Sequence, residues 1–331
     1  MEPLPNSQRV NLLETSDSRI ARHCVCCGGT GLRASPAIMM PFISHRVFGW
    51  SPAYIDASWG LKTVPQGLAY ALCNSLLCED CELLFMDLRF SDDEMGRLYN
   101  DYRGPEYTGL REYYEPGYSV RNAELSKQVV YLRQTEEYLR EFVAHPRCVL
   151  DWGGDTGINT PFKEVAEFVE IYDISNKLAH DGERTSNKAR LRAKSYDLIT
   201  CCNVLEHVPH PAKVLEEIKH FMDEATTLFI EVPLESLRLQ ADGMTALLTA
   251  KRHWHEHINF FSEKSLRLLI HNAGFKLLSI RTLTTNESGN QAHVYQVASR
   301  LGFSPEQRLG QEQDSRHTTN IQKPHPNERG S

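Results

Sequence analysis

From Cys148 to about Ser299, short apolar runs alternate with segments whose apolar residues recur at helical spacing. Runs at 148–151, 168–173, 197–202, 227–232, 276–283 and 293–299 read as strands. A parallel strand covered on both faces needs no polar side, so its apolar run is nearly continuous. Pro211 to Phe221 and Glu263 to Asn272 read as helices, and Gly274 is a stop signal just past the second. This alternation predicts an α/β fold: a Rossmann-like, mostly parallel sheet with helices on both faces. The stretch between 176 and 196 is polar and leaves the third strand of such a sheet unplaced.

The pattern differs upstream. Residues 1–20 are polar and read as a flexible N-terminus. Residues 21–90 hold six of the nine cysteines and read as a small zinc-ribbon-like domain of short strands and turns. Residues 91–147 read as a helical linker or lid region. Ser91 and Glu94 form a capping-box signature at its start. Residues 104–118 are rich in tyrosine, glycine and proline, whereas 122–144 return to helical spacing, with Leu125, Val129, Leu132, Tyr138, Leu139 and Phe142 inward. Residues 148–301 form the α/β domain. Residues 302–331 have little to bury and read as a disordered tail.

The strand ending Val149-Leu150-Asp151-Trp152 runs into Gly153-Gly154-Asp155-Thr156-Gly157. Glycines let a chain turn sharply and approach a ligand closely. A second acid, Asp173, ends the run Phe168-Val169-Glu170-Ile171-Tyr172, where open α/β sheets commonly hold ribose hydroxyls. The spacing is neither G-x-G-x-x-G nor a P-loop, which disfavours nicotinamide dinucleotides and ATP. The segment resembles motif I of the class I S-adenosylmethionine-dependent methyltransferases, D-x-G-x-G-x-G, with Asp155 at the middle glycine. Tyr196 to Val208 is similar to that family's fourth strand and following turn, and Leu228 to Pro233 to its fifth strand. The resemblance covers roughly residues 75–300. It implies S-adenosyl-L-methionine as cofactor. Asp151, Gly153, Gly154, Asp155, Gly157, Asp173, Asn203 and Glu206 are then the candidate cofactor-binding residues.

Cys24-Val25-Cys26-Cys27 and Cys78-Glu79-Asp80-Cys81 each contain a C-x-x-C knuckle. Cys24, Cys27, Cys78 and Cys81 supply four thiolates, which suits a closed, structural Zn2+ site. Cys26, Cys73 and His23 stay open as alternative ligands. A subset of class I methyltransferases carries such a four-cysteine domain and includes enzymes that C-methylate nucleotide-linked sugars.

The segment His253-Trp254-His255-Glu256-His257 is the second candidate for chemistry. Histidine titrates near neutral pH and is a natural general base. His257, Glu256 and His255 are the candidate catalytic residues. In the zinc-containing sugar C-methyltransferases a similar Glu-His pair supplies the base, which implies that role for Glu256 and His257. Trp254 stands where a tyrosine is common. His207 reads as a packing or capping residue beside the cofactor.

The chain has 331 residues and a net charge of -7, which gives no general support for nucleic-acid binding. No apolar run is long enough to span a membrane, and Met1 to Ile20 lacks a secretory h-region, so a cytoplasmic location is expected. The partner expected is a small polar acceptor, such as a nucleotide-linked sugar or a surface-glycan or secondary-metabolite precursor. Its identity, the atom methylated and the oligomeric state stay open. Two other readings remain: methyl transfer to oxygen or nitrogen of a lipid-linked or secondary-metabolite acceptor, and an inactive methyltransferase-like binding module that recruits a partner through its zinc domain.

Overall fold

The computed structural model describes residues 18–175, 183–185, 188–191, 196–287 and 290–302. Residues 1–17 of the N-terminal segment expected to be flexible, and residues 303–331 of the tail expected to be disordered, lie outside the described residues.

A seven-stranded sheet forms the larger half. Its order is Phe275–Glu287, Asn290–Leu301, Thr227–Pro233, Leu198–Cys202, Cys148–Trp152, Phe168–Tyr172 and Glu183–Thr185. Asn290–Leu301 alone runs opposite to the other six strands. Strand order reverses between Cys148–Trp152 and Leu198–Cys202, and such switch points open a crevice at the carboxyl ends of parallel strands.

The apolar runs work because successive residues serve opposite faces. Leu150, Ile199, Leu228 and Ile230 join one core with Leu215 and Ile218 of the Pro211–Lys219 helix and Leu266, Leu269 and Ile270 of the Glu263–Asn272 helix. Val149, Leu198 and Phe229 join the other, against Tyr138 and Leu139 of the Leu132–Leu139 helix. Each fully buried aliphatic side chain contributes about 1.5–3 kcal/mol. The sheet is therefore the Rossmann-like, mostly parallel one expected, with helices on both faces.

Three elements differ from the sequence expectation. The third strand is Glu183–Thr185, paired parallel with Phe168–Tyr172 at the sheet edge, where a polar triplet is tolerated. The 122–144 segment is split: one helix ends at Leu125 and the next starts at Leu132. Residues 105–114, within the tyrosine-rich stretch, are helical, with Pro105 preorganised at the first position. The Ser91–Glu94 capping box is present.

The smaller sheet is five-stranded, in the order His253–Trp254, Leu32–Met39, Leu72–Cys78, Leu84–Met86, Asn259–Phe260. Both edges come from the histidine-bearing segment. His253–Trp254 pairs parallel with Leu32–Met39, and Asn259–Phe260 pairs antiparallel with Leu84–Met86. The cysteine-bearing region thus holds the histidine loop at both ends. It also shares the main core, since Cys24, Cys26, Cys78 and Phe85 pack in the cluster of the Glu263–Asn272 helix.

Candidate functional site

The glycine turn is built from below. Asp151 is buried and accepts hydrogen bonds from Thr160 at 2.5 Å and Thr200 at 2.7 Å, tying the turn to the neighbouring strand. Gly153 and Gly157 adopt φ of 79° and 75°, in the left-handed region. A Cβ on Gly153 would lie 2.3 Å from Val204 Cγ2, and one on Gly157 would lie 2.1 Å from Ile171 Cδ1. Asp155 takes φ 48° and so keeps the glycine-like path; aspartate tolerates this region better than most residues. Asp173 accepts from the backbone N–H of Asp155 at 2.9 Å and of Ser175 at 2.7 Å. It locks the turn through both carboxylate oxygens.

Above the turn lies a cavity of about 440 Å³. Its lining includes Trp152, Gly153, Asp155, Tyr172, Asp173 and Asn203, together with Tyr99, Tyr102 and His207. Asp151, Gly154 and Gly157 stand outside this lining. Trp152 and Tyr172 lie with ring centroids 4.4 Å apart, with the Lys188 ammonium 5.6 Å and 5.7 Å from the two centroids. Asn203, φ 54°, turns the chain at the end of the Leu198–Cys202 strand. Glu206 is not in the lining; it is fully buried, with neither carboxylate oxygen hydrogen-bonded.

The histidine loop folds onto the 205–208 turn. Ile258 and Asn259 donate backbone bonds to Glu206 O at 2.7 and 3.0 Å, and Asn259 Nδ2 donates to Leu205 O and Val208 O at 2.9 and 2.7 Å. The rings of His207 and His257 meet edge to face, with centroids 4.6 Å apart. Tyr99 OH lies 2.9 Å from His207 Nδ1, which also lies 3.2 Å from the Glu256 carbonyl oxygen. His257 Nδ1 lies 2.6 Å from Glu235.

The candidate catalytic residues therefore separate. Glu256 is not the partner of the His257 ring: its carboxylate takes Arg111 at 2.6 Å and the Tyr107 hydroxyl. His255 pairs with Glu115 at 3.4 Å. Trp254 is fully buried, with Nε1 donating to Ser75 Oγ at 2.9 Å. Glu235, Tyr99 and Trp152 escape sequence reading; the first two lie 22 and 108 residues from their histidines, so no local pattern marks them.

Burial sets the protonation states. It pushes the Glu206 carboxyl up to about 8 and holds the His207 imidazole down. It also pushes Glu256 up to about 7, with the His257 and Arg103 charges acting in the opposite sense. Burial lowers His257, but the bond to Glu235 together with the charges of Glu235, Glu206 and Glu256 outweighs it, and the net direction is up.

The cysteines converge at the other end of the loop's anchoring sheet. The Sγ atoms of Cys24, Cys27, Cys78 and Cys81 all lie within 4.8 Å of one another, with Cys24–Cys81 at 3.3 Å and Cys27–Cys78 at 3.5 Å. A tetrahedral zinc with Zn–S near 2.3 Å requires sulfurs about 3.8 Å apart, so the set fits. The knuckles are alike: Gly28 N–H bonds Cys24 O at 2.8 Å and Glu82 N–H bonds Cys78 O at 2.9 Å, both with positive φ. Cys26 and Cys73 are buried outside this group, and His23 is not part of it.

Residues 125–280 match the family model described as Methyltransferase domain. The match contains the glycine turn, Asp173, the 205–208 turn and the histidine loop. The ubiquinone biosynthesis O-methyltransferase of Hahella chejuensis is 26% identical over 122 residues, 35% of this chain and 51% of that protein. The chain matches about half the length of this curated relative. Among solved structures, the Burkholderia thailandensis 1,6-didemethyltoxoflavin-N1-methyltransferase with bound S-adenosylhomocysteine is 15% identical. The alignment covers 77% of this chain and 100% of that one, with a TM-score of 0.45. The Synechocystis magnesium protoporphyrin IX methyltransferase is 18% identical over 58% of this chain and 98% of its own, with a TM-score of 0.36. Among the described residues, no helix is long and apolar enough to cross a membrane.

Proposed function

We propose that this protein binds S-adenosylmethionine over the glycine turn and transfers its methyl group to a small polar acceptor beside His207 and His257. One observation carries the reading: the Gly153 turn, Asp173 and His207 line a single cavity. Asp173 takes the ribose hydroxyls, Trp152 and Tyr172 flank the base, and Asn203 borders the methionine end. The protein's task is alignment, since the sulfonium already carries an activated methyl. The sulfonium C–S bond breaks as the acceptor takes the methyl, S-adenosylhomocysteine leaves, and the acceptor proton departs on the histidine side. His257, fixed by Glu235, is the acceptor-activating group. Glu256 positions the loop through Arg111 and Tyr107. The four cysteines hold a structural zinc that anchors the sheet carrying that loop.

Calorimetric titration with S-adenosylhomocysteine tests the reading. The wild type binds one equivalent, and Asp173→Ala weakens binding at least about tenfold, the loss of one charge-assisted hydrogen bond. A wild type that does not bind is the inactive scaffold. The likeness to sugar C-methyltransferases favours carbon as the acceptor atom, and the name of the Hahella relative favours oxygen. NMR of product made with a carbon-13-labelled methyl donor distinguishes them.

A further inference from the structure

We propose that Glu206, His207 and His257 form a second metal site, for a divalent first-row transition ion that would bind an oxygen of the acceptor. This deepens the methyl-transfer reading and rests on it. One ligand atom from each residue lies within 4.8 Å of the other two, and His207 Nε2 is 3.7 Å from Glu206 Oε1. The neighbours of the two Nδ1 atoms favour one tautomer of each ring. His207 Nδ1 lies 2.9 Å from the Tyr99 hydroxyl, which can donate or accept, and 3.2 Å from Glu256 O, which only accepts; the tautomer that satisfies the carbonyl carries its proton on Nδ1 and has a lone pair on Nε2. Likewise His257 Nδ1 donates to the Glu235 carboxylate, leaving a lone pair on its Nε2. Metal-bound histidines are typically oriented this way through the other ring nitrogen.

Beside them stands Glu206, fully buried, with neither oxygen hydrogen-bonded to another residue. A cation satisfies two imidazole nitrogens beside a buried carboxyl group, and its binding releases the protons that Glu206 and His257 otherwise hold. Two imidazoles and one carboxylate suit zinc, manganese or iron(II), with open positions for a ligand. His207 borders the cavity and the His257 side chain is 39% exposed, so an acceptor oxygen has access. An ion there would hold a hydroxyl oxygen of the acceptor and ease loss of its proton to water before the methyl arrives.

The test uses the full chain. Metal retained after purification is counted by mass spectrometry, and Mn2+ uptake is then followed by electron paramagnetic resonance. Manganese suits nitrogen and oxygen ligands and not a four-thiolate site. Retained metal plus Mn2+ should exceed that of the folded Glu206→Gln/His257→Asn double variant by one equivalent. Glu235→Gln should weaken Mn2+ uptake by about 10–100-fold. Equal totals in the wild type and the double variant overturn the proposal. S-adenosylhomocysteine titration of the same samples separates the two failures. Cofactor binding without the extra equivalent removes the metal site alone, leaving His257 as a free base. Loss of cofactor binding in the wild type removes the methyl-transfer reading itself.

Discussion

Replacing Gly153 by alanine tests how the glycine turn is made. Two costs are legible. An L-residue at φ 79° gives up about 1–2 kcal/mol relative to glycine. The new Cβ would lie 2.3 Å from Val204 Cγ2, and Val204 is β-branched with little rotamer freedom to retreat. Overpacking of this kind costs about 1–3 kcal/mol. Gly153→Ala should therefore lose about 2–5 kcal/mol in urea unfolding followed by circular dichroism. Val204→Ala removes the clashing methyls but not the φ cost, so a double-mutant cycle should show about 1–2 kcal/mol of relief in the combined variant. Because Gly153 and Val204 both line the cavity, the single variant should also weaken S-adenosylhomocysteine binding. A Gly153→Ala protein within about 0.5 kcal/mol of wild type, or a strictly additive cycle, would refute the account of the turn.

Three further outcomes follow from the anchoring region. Chelation of the cysteine-bound metal, or Cys78→Ser, should lower the melting temperature by on the order of 10 °C in differential scanning fluorimetry; an unchanged midpoint contradicts the zinc assignment. Trp254→Phe removes the donor to Ser75 Oγ and part of a buried side chain, and should cost about 1–3 kcal/mol in urea unfolding, with a smaller loss counting against its role as an anchor. Burial pushes Lys251, which sits over the Trp254 and Phe260 rings, down to about 8. The unfolded amine titrates near 10.4, so the folded chain holds fewer protons between these values and gains stability as pH rises. Relative to Lys251→Met, the wild type should gain about 2 kcal/mol between pH 7 and 9.5, and a constant difference between the two would contradict burial of the charge.

The sequence revealed most where burial is two-sided. The strands at 148–152, 168–172, 198–202 and 227–233 are central, and each central parallel strand needs apolar residues on both faces. Glu183–Thr185 is polar because it has one neighbour and lies at the edge, so no run announces it. The break between Leu125 and Leu132 interrupts a helical pattern without a glycine or proline, and spacing alone cannot reveal it. At the site, local motifs marked the glycine turn and Asp173, which meet at one cavity, and the cysteine knuckles, whose sulfurs lie close together. They misdirected the partner of His257, because adjacency in sequence favours Glu256 while the loop's path turns that carboxylate toward Arg111 and brings up Glu235. Trp254 reads as a lost hydroxyl in the sequence; in the fold it bonds Ser75 and holds the histidine loop to the smaller sheet.

The account's central claim is that a sulfonium nucleoside lies across the ends of the Cys148–Trp152 and Phe168–Tyr172 strands. A crystal structure with S-adenosylhomocysteine bound tests it most directly. Ribose hydroxyls within hydrogen-bond distance of Asp173, with the sulfur directed toward His207, is the predicted result. Ligand density elsewhere, with this cleft closed by side chains, would contradict it.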